Sequence, residues 1–234
     1  MINYLHDGLI ELGLNKEDLF GIKILPLDQL ELKLNRYIEL LQEYNAKFDL
    51  INTDIYEEIV IKHILDSLSA TKEIAKLISE QSDSSFVIAD IGSGAGLPGI
   101  PLSTIFFEIP FVLIERMSKR CNFLSHCVKE LNLKNVSVEE NQAERLEQRR
   151  FNICVFRAFR PLEKKMTKVL LRILKENGKL AAYKAKSEKI KEEMESLGSN
   201  MPSFSILPLK VPFLTENTQN NEEQRERNLV IINK

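Results

Sequence analysis

Two hydrophobic patterns divide the chain. In residues 1–82 apolar side chains recur every three or four positions, which predicts amphipathic helices over 27–52 and 56–78. The polar stretch SEQSDSS, residues 79–85, then predicts a linker. We therefore expect a helical N-terminal cap over residues 1–82 and a second domain over residues 83–234.

Beyond the linker, short apolar runs alternate with longer amphipathic segments. The runs predict five strands, at 86–90, 111–115, 136–140, 152–159 and 178–185. Helices are expected between and after them, at 99–107, 118–133, 161–174 and 188–196. Strands that alternate with helices form βαβ crossovers, so the pattern predicts a parallel sheet covered on both faces.

The C-terminal part of the chain departs from this alternation. SFSILPLKVPF (203–213) and RNLVIINK (227–234) flank a polar insert with no helical pattern between them. Two strands joined without a helix predict an antiparallel pair at the sheet edge. The fold class expected for 83–234 is thus α/β and Rossmann-like, with a mostly parallel seven-stranded sheet and an antiparallel edge.

The loop after the first predicted strand is rich in glycine and can be aligned with two nucleotide-binding patterns. Starting from Asp90, the glycines Gly92, Gly94 and Gly96 form the D-x-G-x-G-x-G pattern of an S-adenosylmethionine site. Starting from Gly94, the glycines Gly94, Gly96 and Gly99 form the G-x-G-x-x-G pattern of a dinucleotide site.

Three features favour S-adenosylmethionine over a dinucleotide. Gly94 lies four residues beyond Asp90, which is late for the tight turn that opens a dinucleotide loop. Pro98 and Pro101 remove two backbone N–H donors that a diphosphate would need. Asp90 also tolerates a sulfonium and an ammonium group better than a diphosphate.

Two further acidic positions fit a nucleoside ligand of either type. Glu115 ends the second predicted strand 19 residues after Gly96, a distance at which a carboxylate accepts hydrogen bonds from ribose hydroxyls. QAERL, residues 142–146, follows the third strand, where a backbone amide and a carboxylate can hold an adenine edge.

Composition narrows the functional classes. The chain is 44% hydrophobic and 28% charged with a net charge of −2, which argues against nucleic-acid binding by overall attraction. Basic residues nevertheless cluster near the expected site, and we predict that they form a rim for RNA phosphates. The residues of this rim are Lys119, Arg120, Arg149, Arg150, Arg160, Lys164, Lys165, Arg225 and Arg227.

The remaining sequence features bear on the cellular compartment of the protein and on metal binding. Three cysteines without a C-x-x-C pair predict reduced thiols in a cytosolic protein, and the N-terminus lacks the pattern of a signal peptide. No apolar stretch is long enough to span a bilayer. His6, His63 and His126 lack metal-ligand spacing, so we expect no metal site. We expect His63 to be structural, bonded to Asp66 or Asn52.

With these residues identified, the chain closely resembles the bacterial 16S ribosomal RNA guanine-N7 methyltransferases (RsmG, also called GidB). The matching stretches are YNAKFDLIN, KHILDSL, DIGSGAGLPGIPL, SKRCNFL, AE (143–144), RAF (157–159), YKAK (183–186) and ERNLVIINK. The resemblance implies a class I S-adenosylmethionine-dependent methyltransferase fold with an N-terminal helical cap. It implies a guanine of 16S rRNA as substrate, in the small ribosomal subunit or its assembly intermediate.

The resemblance also assigns residues. It implies cofactor contacts at Gly92, Leu97, Ala143, Glu144 and Arg157, and it makes Glu115 the ribose partner. Within the segment YKAK, the family's lysine corresponds to Lys184 or Lys186.

The reaction expected from the family makes few chemical demands. Guanine N7 carries a lone pair at neutral pH, so attack on a sulfonium methyl needs alignment and exclusion of water rather than a general base. We predict that Arg157 contacts the cofactor or the guanine edge, and that Lys184 holds a phosphate. We also expect RNA contacts at Lys119, Arg120, Arg160, Lys164 and Arg227, and a monomeric protein.

Two other functions stay open on the sequence alone. A nicotinamide-dependent oxidoreductase would use the glycine pattern that starts at Gly94. A non-catalytic RNA-binding ribosome-assembly factor would retain the fold and bind RNA without turnover.

Overall fold

The computed structural model describes residues 2–81, 83, 85–159, 162–198, 202–214 and 226–234. The helices in these ranges are α1 (Tyr4–Glu11), α2 (Leu27–Phe48), α3 (Tyr56–Ile59), α4 (Asp66–Leu68), α5 (Thr71–Ser79), α6 (Gly99–Ile105), α7 (Ser118–Glu130), α8 (Lys164–Ile173) and α9 (Ser187–Ser196). The strands are β1 (Asp18–Leu19), β2 (Ile22–Lys23), β3 (Ile88–Ile91), β4 (Phe111–Glu115), β5 (Val136–Glu140), β6 (Phe151–Arg157), β7 (Leu174–Lys184), β8 (Phe204–Pro208) and β9 (Asn228–Asn233).

Seven strands form one sheet in the order β5-β4-β3-β6-β7-β9-β8. The strands β3 to β7 pair in parallel, whereas β9 runs antiparallel to both β7 and β8. The predicted mostly parallel sheet with its antiparallel edge is confirmed. The chain reverses direction across the sheet between β3 and β6, and such a switch point opens a crevice at the carboxyl ends of the strands.

Side chains alternate between the two faces along each strand, and both faces of the central strands β3, β4 and β6 are buried. On one face Ile88 of β3 belongs to a core cluster that also includes Leu34 and Ile74 of the N-terminal helices. On the other face Ala89 belongs to a cluster that includes Leu170 of α8. The strands are thus apolar on both faces, which explains why they read as short continuous apolar runs.

The second amphipathic segment is not the single helix that its periodicity predicted. The structure divides it into α3, a π-helical turn (Val60–Leu65), α4 and then α5 after a break. Hydroxyl groups near the break bond to backbone carbonyls: Ser69 Oγ donates to Asp66 O and Thr71 Oγ1 donates to Leu68 O. Such bonds compete with the helical ladder, which periodicity alone does not reveal.

Two tyrosines join the N-terminal helices to the sheet. The hydroxyl of Tyr37 in α2 donates to Ala95 O in the glycine loop at 2.6 Å. The hydroxyl of Tyr183 at the end of β7 donates to Ser67 O in α4 at 2.7 Å. Both rings are buried, so the helices are held against the carboxyl edge of the sheet. In the described part of the chain, no helix is long and apolar enough to cross a membrane.

Candidate active site

The glycine loop turns sharply at the end of β3 because three of its glycines, Gly92, Gly94 and Gly96, adopt backbone angles that side chains disfavour. Gly92 has a φ of 72°, and a Cβ there would lie 3.0 Å from Phe159 Cδ2. Gly96 has a φ of 91°, and a Cβ there would lie 2.5 Å from Ile100 Cδ1. The glycines therefore serve both left-handed turns and close packing.

Asp90 lies beneath this loop rather than at its surface. Its Oδ2 accepts a hydrogen bond from Gly99 N at the start of α6, at 3.0 Å. Among the described residues, no donor contacts its Oδ1, although the side chain is fully buried. Burial raises the pKa of Asp90 to about 7, despite the opposing hydrogen bond from Gly99 N. The residue supports the loop from inside.

The raised pKa of Asp90 predicts a pH-dependent stability. An unfolded aspartate titrates near pH 4, so between about pH 4 and pH 7 the folded protein retains a proton that the unfolded chain has released. The contribution of Asp90 to the free energy of unfolding therefore falls as the pH rises through this window. We expect the advantage of wild type over Asp90→Asn to shrink by about 2–3 kcal/mol between pH 5 and pH 8.

Urea unfolding of both proteins at the two pH values measures this difference. The other titrating groups contribute equally to both proteins and cancel in the comparison. A difference that does not change with pH would contradict a protonated Asp90 in the folded state at pH 5.

Glu115, at the end of β4, is surrounded by backbone donors. Its Oε1 accepts hydrogen bonds from Arg116 N at 2.8 Å and Met117 N at 2.9 Å, and its Oε2 accepts one from Gly94 N at 3.0 Å. A carboxylate offers about four acceptor sites, so room for one further donor remains. Glu115 thus ties the glycine loop to β4 and keeps one acceptor site for a ligand hydroxyl.

A first cavity of about 440 Å³ opens beside Glu115 at the carboxyl ends of the strands. Its lining residues are Ile91, Gly92, Ile114, Glu115, Arg116, Met117, Arg120, Asn141, Gln142, Ala143, Glu144, Ala158 and Phe159. This volume falls in the range of small-molecule sites. Four of the predicted cofactor residues line it, namely Gly92, Glu115, Ala143 and Glu144.

The other predicted cofactor residues lie elsewhere. Asp90, Gly94, Gly96, Leu97 and Arg157 are absent from this lining. Leu97 is buried in the core, and Gly94 contributes its N–H to Glu115. Their direct cofactor contacts stay predictions. Lining residues that the sequence analysis did not assign to the cofactor include Asn141, which directly follows β5, and Phe159, which lies two residues beyond the end of β6. Their positions after strand ends were the available signal.

A second cavity, of about 470 Å³, adjoins the first. It is lined by Asn52, Lys62, His63, Asp66, Phe156, Arg157, Ala158, Phe159, Tyr183, Lys184, Ala185, Leu209, Arg227 and Asn228. Ala158, with a φ of 51°, and Phe159 belong to both cavities. The left-handed turn after β6 thus places one wall between the two spaces.

Asp66 organises the polar part of the second cavity. Its Oδ2 accepts a hydrogen bond from Arg157 Nη1 at 2.6 Å, and its Oδ1 accepts one from Arg227 Nε at 3.0 Å. Arg157 Nη1 also donates to Lys62 O. One buried carboxylate therefore joins a helix, the end of β6 and the start of β9. Sequence reasoning predicted functional roles for both arginines but not their common partner.

Lys184 also has a partner at the edge of this cavity. Its Nζ lies 2.8 Å from Oε1 and 2.9 Å from Oε2 of Glu193 in α9. The structure therefore places Arg157 and Lys184, the two predicted catalytic residues, on the wall of one cavity. Their proposed contacts to substrate stay predictions.

His63 has a different partner from those expected. Arg157 Nη2 lies 3.1 Å from His63 Nδ1, in place of a bond to Asp66 or Asn52. Burial, and after it the positive charge of Arg157, lowers the pKa of His63 to about 4. The imidazole is consequently neutral at pH 7.

The predicted RNA-binding residues occupy several environments. Lys119 and Lys164 are exposed, Arg120 lines the first cavity, and Arg227 is tied to Asp66. Arg160 lies outside the described residues, as does Arg225. The RNA contacts stay predictions.

Cysteine thiols, and clusters of His, Cys, Asp or Glu side chains, are the groups that react covalently or bind metal ions. Cys121, Cys127 and Cys154 are unpaired and buried. Burial raises the pKa of each of these thiols. Within the ranges that the structure describes, no group of three His, Cys, Asp or Glu side chains is arranged to hold a metal ion.

Solved structures share this architecture at low sequence identity. A putative S-adenosyl-L-methionine-dependent methyltransferase from Methanococcus maripaludis aligns with a TM-score of 0.52 and 13% identity, covering 84% of this chain and 91% of that one. A SAM-dependent methyltransferase from Aquifex aeolicus aligns with a TM-score of 0.51 and 16% identity, covering 72% and 92%. These matches confirm the predicted fold class.

Relatives found by sequence comparison have higher identity to this chain than these structures do. A Treponema denticola protein named Ribosomal RNA small subunit methyltransferase G is 36% identical over 251 residues, covering 97% of this chain and 92% of that protein. A Lachnoclostridium phytofermentans protein of the same name is 34% identical over 224 residues, covering 92% and 86%. The profile of the family GidB, described as rRNA small subunit methyltransferase G, matches residues 30–226. The predicted family and enzyme class are therefore confirmed, and the chain belongs to the rRNA small subunit methyltransferase G family.

Proposed function

We propose that this protein transfers a methyl group from S-adenosylmethionine to N7 of a guanine in 16S rRNA. The observation that carries the proposal is the pair of cavities that meet at Ala158 and Phe159. A cofactor in the first and a base in the second would face each other across this junction. Transfer of a methyl group requires such a direct approach of nucleophile and donor.

The first cavity offers the groups that a nucleoside cofactor needs. Glu115 retains an acceptor site for ribose hydroxyls. Gln142, Ala143 and Glu144 follow β5 on the same wall, where backbone and carboxylate groups can bind the adenine edge. S-adenosylmethionine supplies an electrophilic methyl group when it is bound there.

The described residues of the second cavity offer no available general base, in agreement with N7 chemistry. Asp66 is the one carboxylate among its described lining residues, and two arginines engage it. His63 is neutral but its Nδ1 is engaged by Arg157. N7 needs no deprotonation before it attacks, so the residues are required to orient the base and to exclude water.

The charge of the second cavity suits RNA. Lys62, Arg157, Lys184 and Arg227 contribute four cations to its wall. Three carboxylates oppose them, Asp66 in the wall and Glu58 and Glu193, which pair with Lys62 and Lys184 from outside the lining, so the balance is positive by one charge. This excess of positive charge favours a phosphate beside the target base. We propose the small ribosomal subunit or its assembly intermediate as the substrate, with the protein acting as a monomer in the cytoplasm.

The test is transfer of labelled methyl from S-adenosylmethionine to small subunits from a strain lacking this protein, with 7-methylguanine mapped by base-specific cleavage. One cleavage site is expected, and none in subunits whose target guanine is changed to adenine. A label at another atom or in another molecule would overturn the proposal.

The methyl-transfer assay, combined with measurements of RNA and cofactor binding, addresses the two alternatives, which the comparisons do not support. Tight RNA association without methyl transfer, to subunits or to assembly intermediates, would favour a non-catalytic assembly factor. Binding of a nicotinamide dinucleotide in preference to S-adenosylmethionine would favour an oxidoreductase.

A further inference from the structure

His63 stands at the second cavity with one ring nitrogen bonded and the other without a partner. Its Nδ1 contacts Arg157 Nη2 at 3.1 Å. Its Nε2 is buried, and none of the described residues forms a hydrogen bond with it. Buried polar atoms in native proteins almost always have partners, so a group left without one invites a functional explanation.

The contact with Arg157 determines which nitrogen carries the hydrogen. A guanidinium can only donate, so His63 Nδ1 must accept and must therefore be unprotonated. Since burial and Arg157 lower the pKa of the ring to about 4, a neutral imidazole at pH 7 carries its single N–H at Nε2. The partnerless atom is thus a hydrogen-bond donor.

His63 lines the second cavity, but its Nε2 atom is covered in this structure, so a ligand there reaches it only when the ring or the groups packed over it shift. Such a ligand must then supply an acceptor for that donor. Guanine presents O6 as an acceptor next to N7, whereas adenine presents an amino donor at the same place. A single donor directed to O6 leaves the N7 lone pair free for the methyl group. A neutral donor also adds no positive charge beside a base that becomes cationic when N7 is methylated.

We propose that the Nε2–H group of His63 donates a hydrogen bond to O6 of the target guanine and thereby determines guanine specificity. The inference rests on the proposed function and extends it by a residue that reads the base. Arg157 acts as the positioning residue because it holds the ring in the tautomer that donates from Nε2. Asp66 in turn holds Arg157 by its carboxylate.

The test compares two target bases in reconstituted small subunits, guanine and 2,6-diaminopurine. The second base keeps N7 and the 2-amino group but carries an amino group in place of O6. For wild type we expect kcat/KM to fall about tenfold to a hundredfold with 2,6-diaminopurine, the range of one lost hydrogen bond with a donor left unpaired. Equal rates on both bases would overturn the proposal without any variant.

The same comparison of two bases is then made with the variant His63→Phe. His6→Phe is the matched control, because His6 bonds Glu31 away from both cavities. We expect His63→Phe to lower kcat/KM for guanine about tenfold to a hundredfold while 2,6-diaminopurine is little affected, so that discrimination disappears. His63→Gln, which retains a side-chain N–H, should keep part of the discrimination between the two bases. A loss of equal size on both bases would show that His63 is only structural and would refute the proposal.

The outcomes separate this inference from the proposed function. Absence of N7 methylation by wild type on guanine-containing subunits would refute the proposed function itself. S-adenosylmethionine affinity, measured by calorimetry, should be the same in wild type and all variants. If His63→Phe loses cofactor affinity, the comparison is made with His63→Gln, whose discrimination between the two bases should fall below that of wild type. Discrimination equal to that of wild type would refute the proposal.

Discussion

Replacement of Asp66 by alanine is expected to lower the free energy of unfolding by about 3–5 kcal/mol, the usual cost of removing one partner from a buried ion pair. The side chain of Asp66 is 6% exposed, and it is the acceptor for both Arg157 and Arg227. Without it, two guanidinium groups stay largely buried with a lost countercharge. Since the arginines are 16% and 24% exposed, water limits the cost to the lower part of this range.

Urea-induced unfolding measures the effect, and Glu58→Ala is the matched control. Glu58 also lies in this helical region and pairs with Lys62 at 2.6 Å, but both side chains are more than a third exposed. An exposed pair contributes about 0–1 kcal/mol, so the control should differ little from wild type. Equal destabilisation by the two substitutions would contradict a central role for the Asp66 cluster.

Glu115→Ala is expected to weaken S-adenosylmethionine binding about a hundredfold or more, which corresponds to roughly two charge-assisted hydrogen bonds. The carboxylate that we assign to the ribose is also the acceptor for Gly94 N, Arg116 N and Met117 N. Its loss removes the ligand contact and releases the glycine loop from β4 together. Equilibrium binding of S-adenosylmethionine by calorimetry is the measurement.

Glu140→Ala provides the control for that experiment. Glu140 is the register partner of Glu115 on β5, is exposed, and does not line the first cavity. Its removal tests whether the loss of any negative charge at this edge of the sheet is enough to weaken S-adenosylmethionine binding. Cofactor affinity that falls equally in both variants would show that Glu115 makes no specific contact.

The first cavity was largely predictable from the sequence because its residues directly follow strands. Gly92, Glu115 and Ala143 each follow or end a strand, and parallel strands bring such positions to one edge. The motif alone does not distinguish the residues that line the cavity from those that lie beneath the loop. Gly94 and Leu97 belong to the same motif as Gly92, and only the backbone path decides which of them faces the ligand.

The second cavity could not be assembled from the sequence. Asp66 lies 91 residues from Arg157 and 161 residues from Arg227, and no local pattern relates such distant positions. The π-helical turn before Asp66 also breaks the periodicity that would have assigned its face. From the sequence, Asp66 is expected only as a partner for His63.

The wall made by Ala158 and Phe159 has a kinetic consequence. Because these residues border both cavities, any shift of the wall that one ligand causes changes the affinity for the other, by the same factor in each direction. The demethylated cofactor and the modified RNA would then leave in a coupled sequence rather than independently. Departure of one product would accordingly change the affinity for the other product that is still bound.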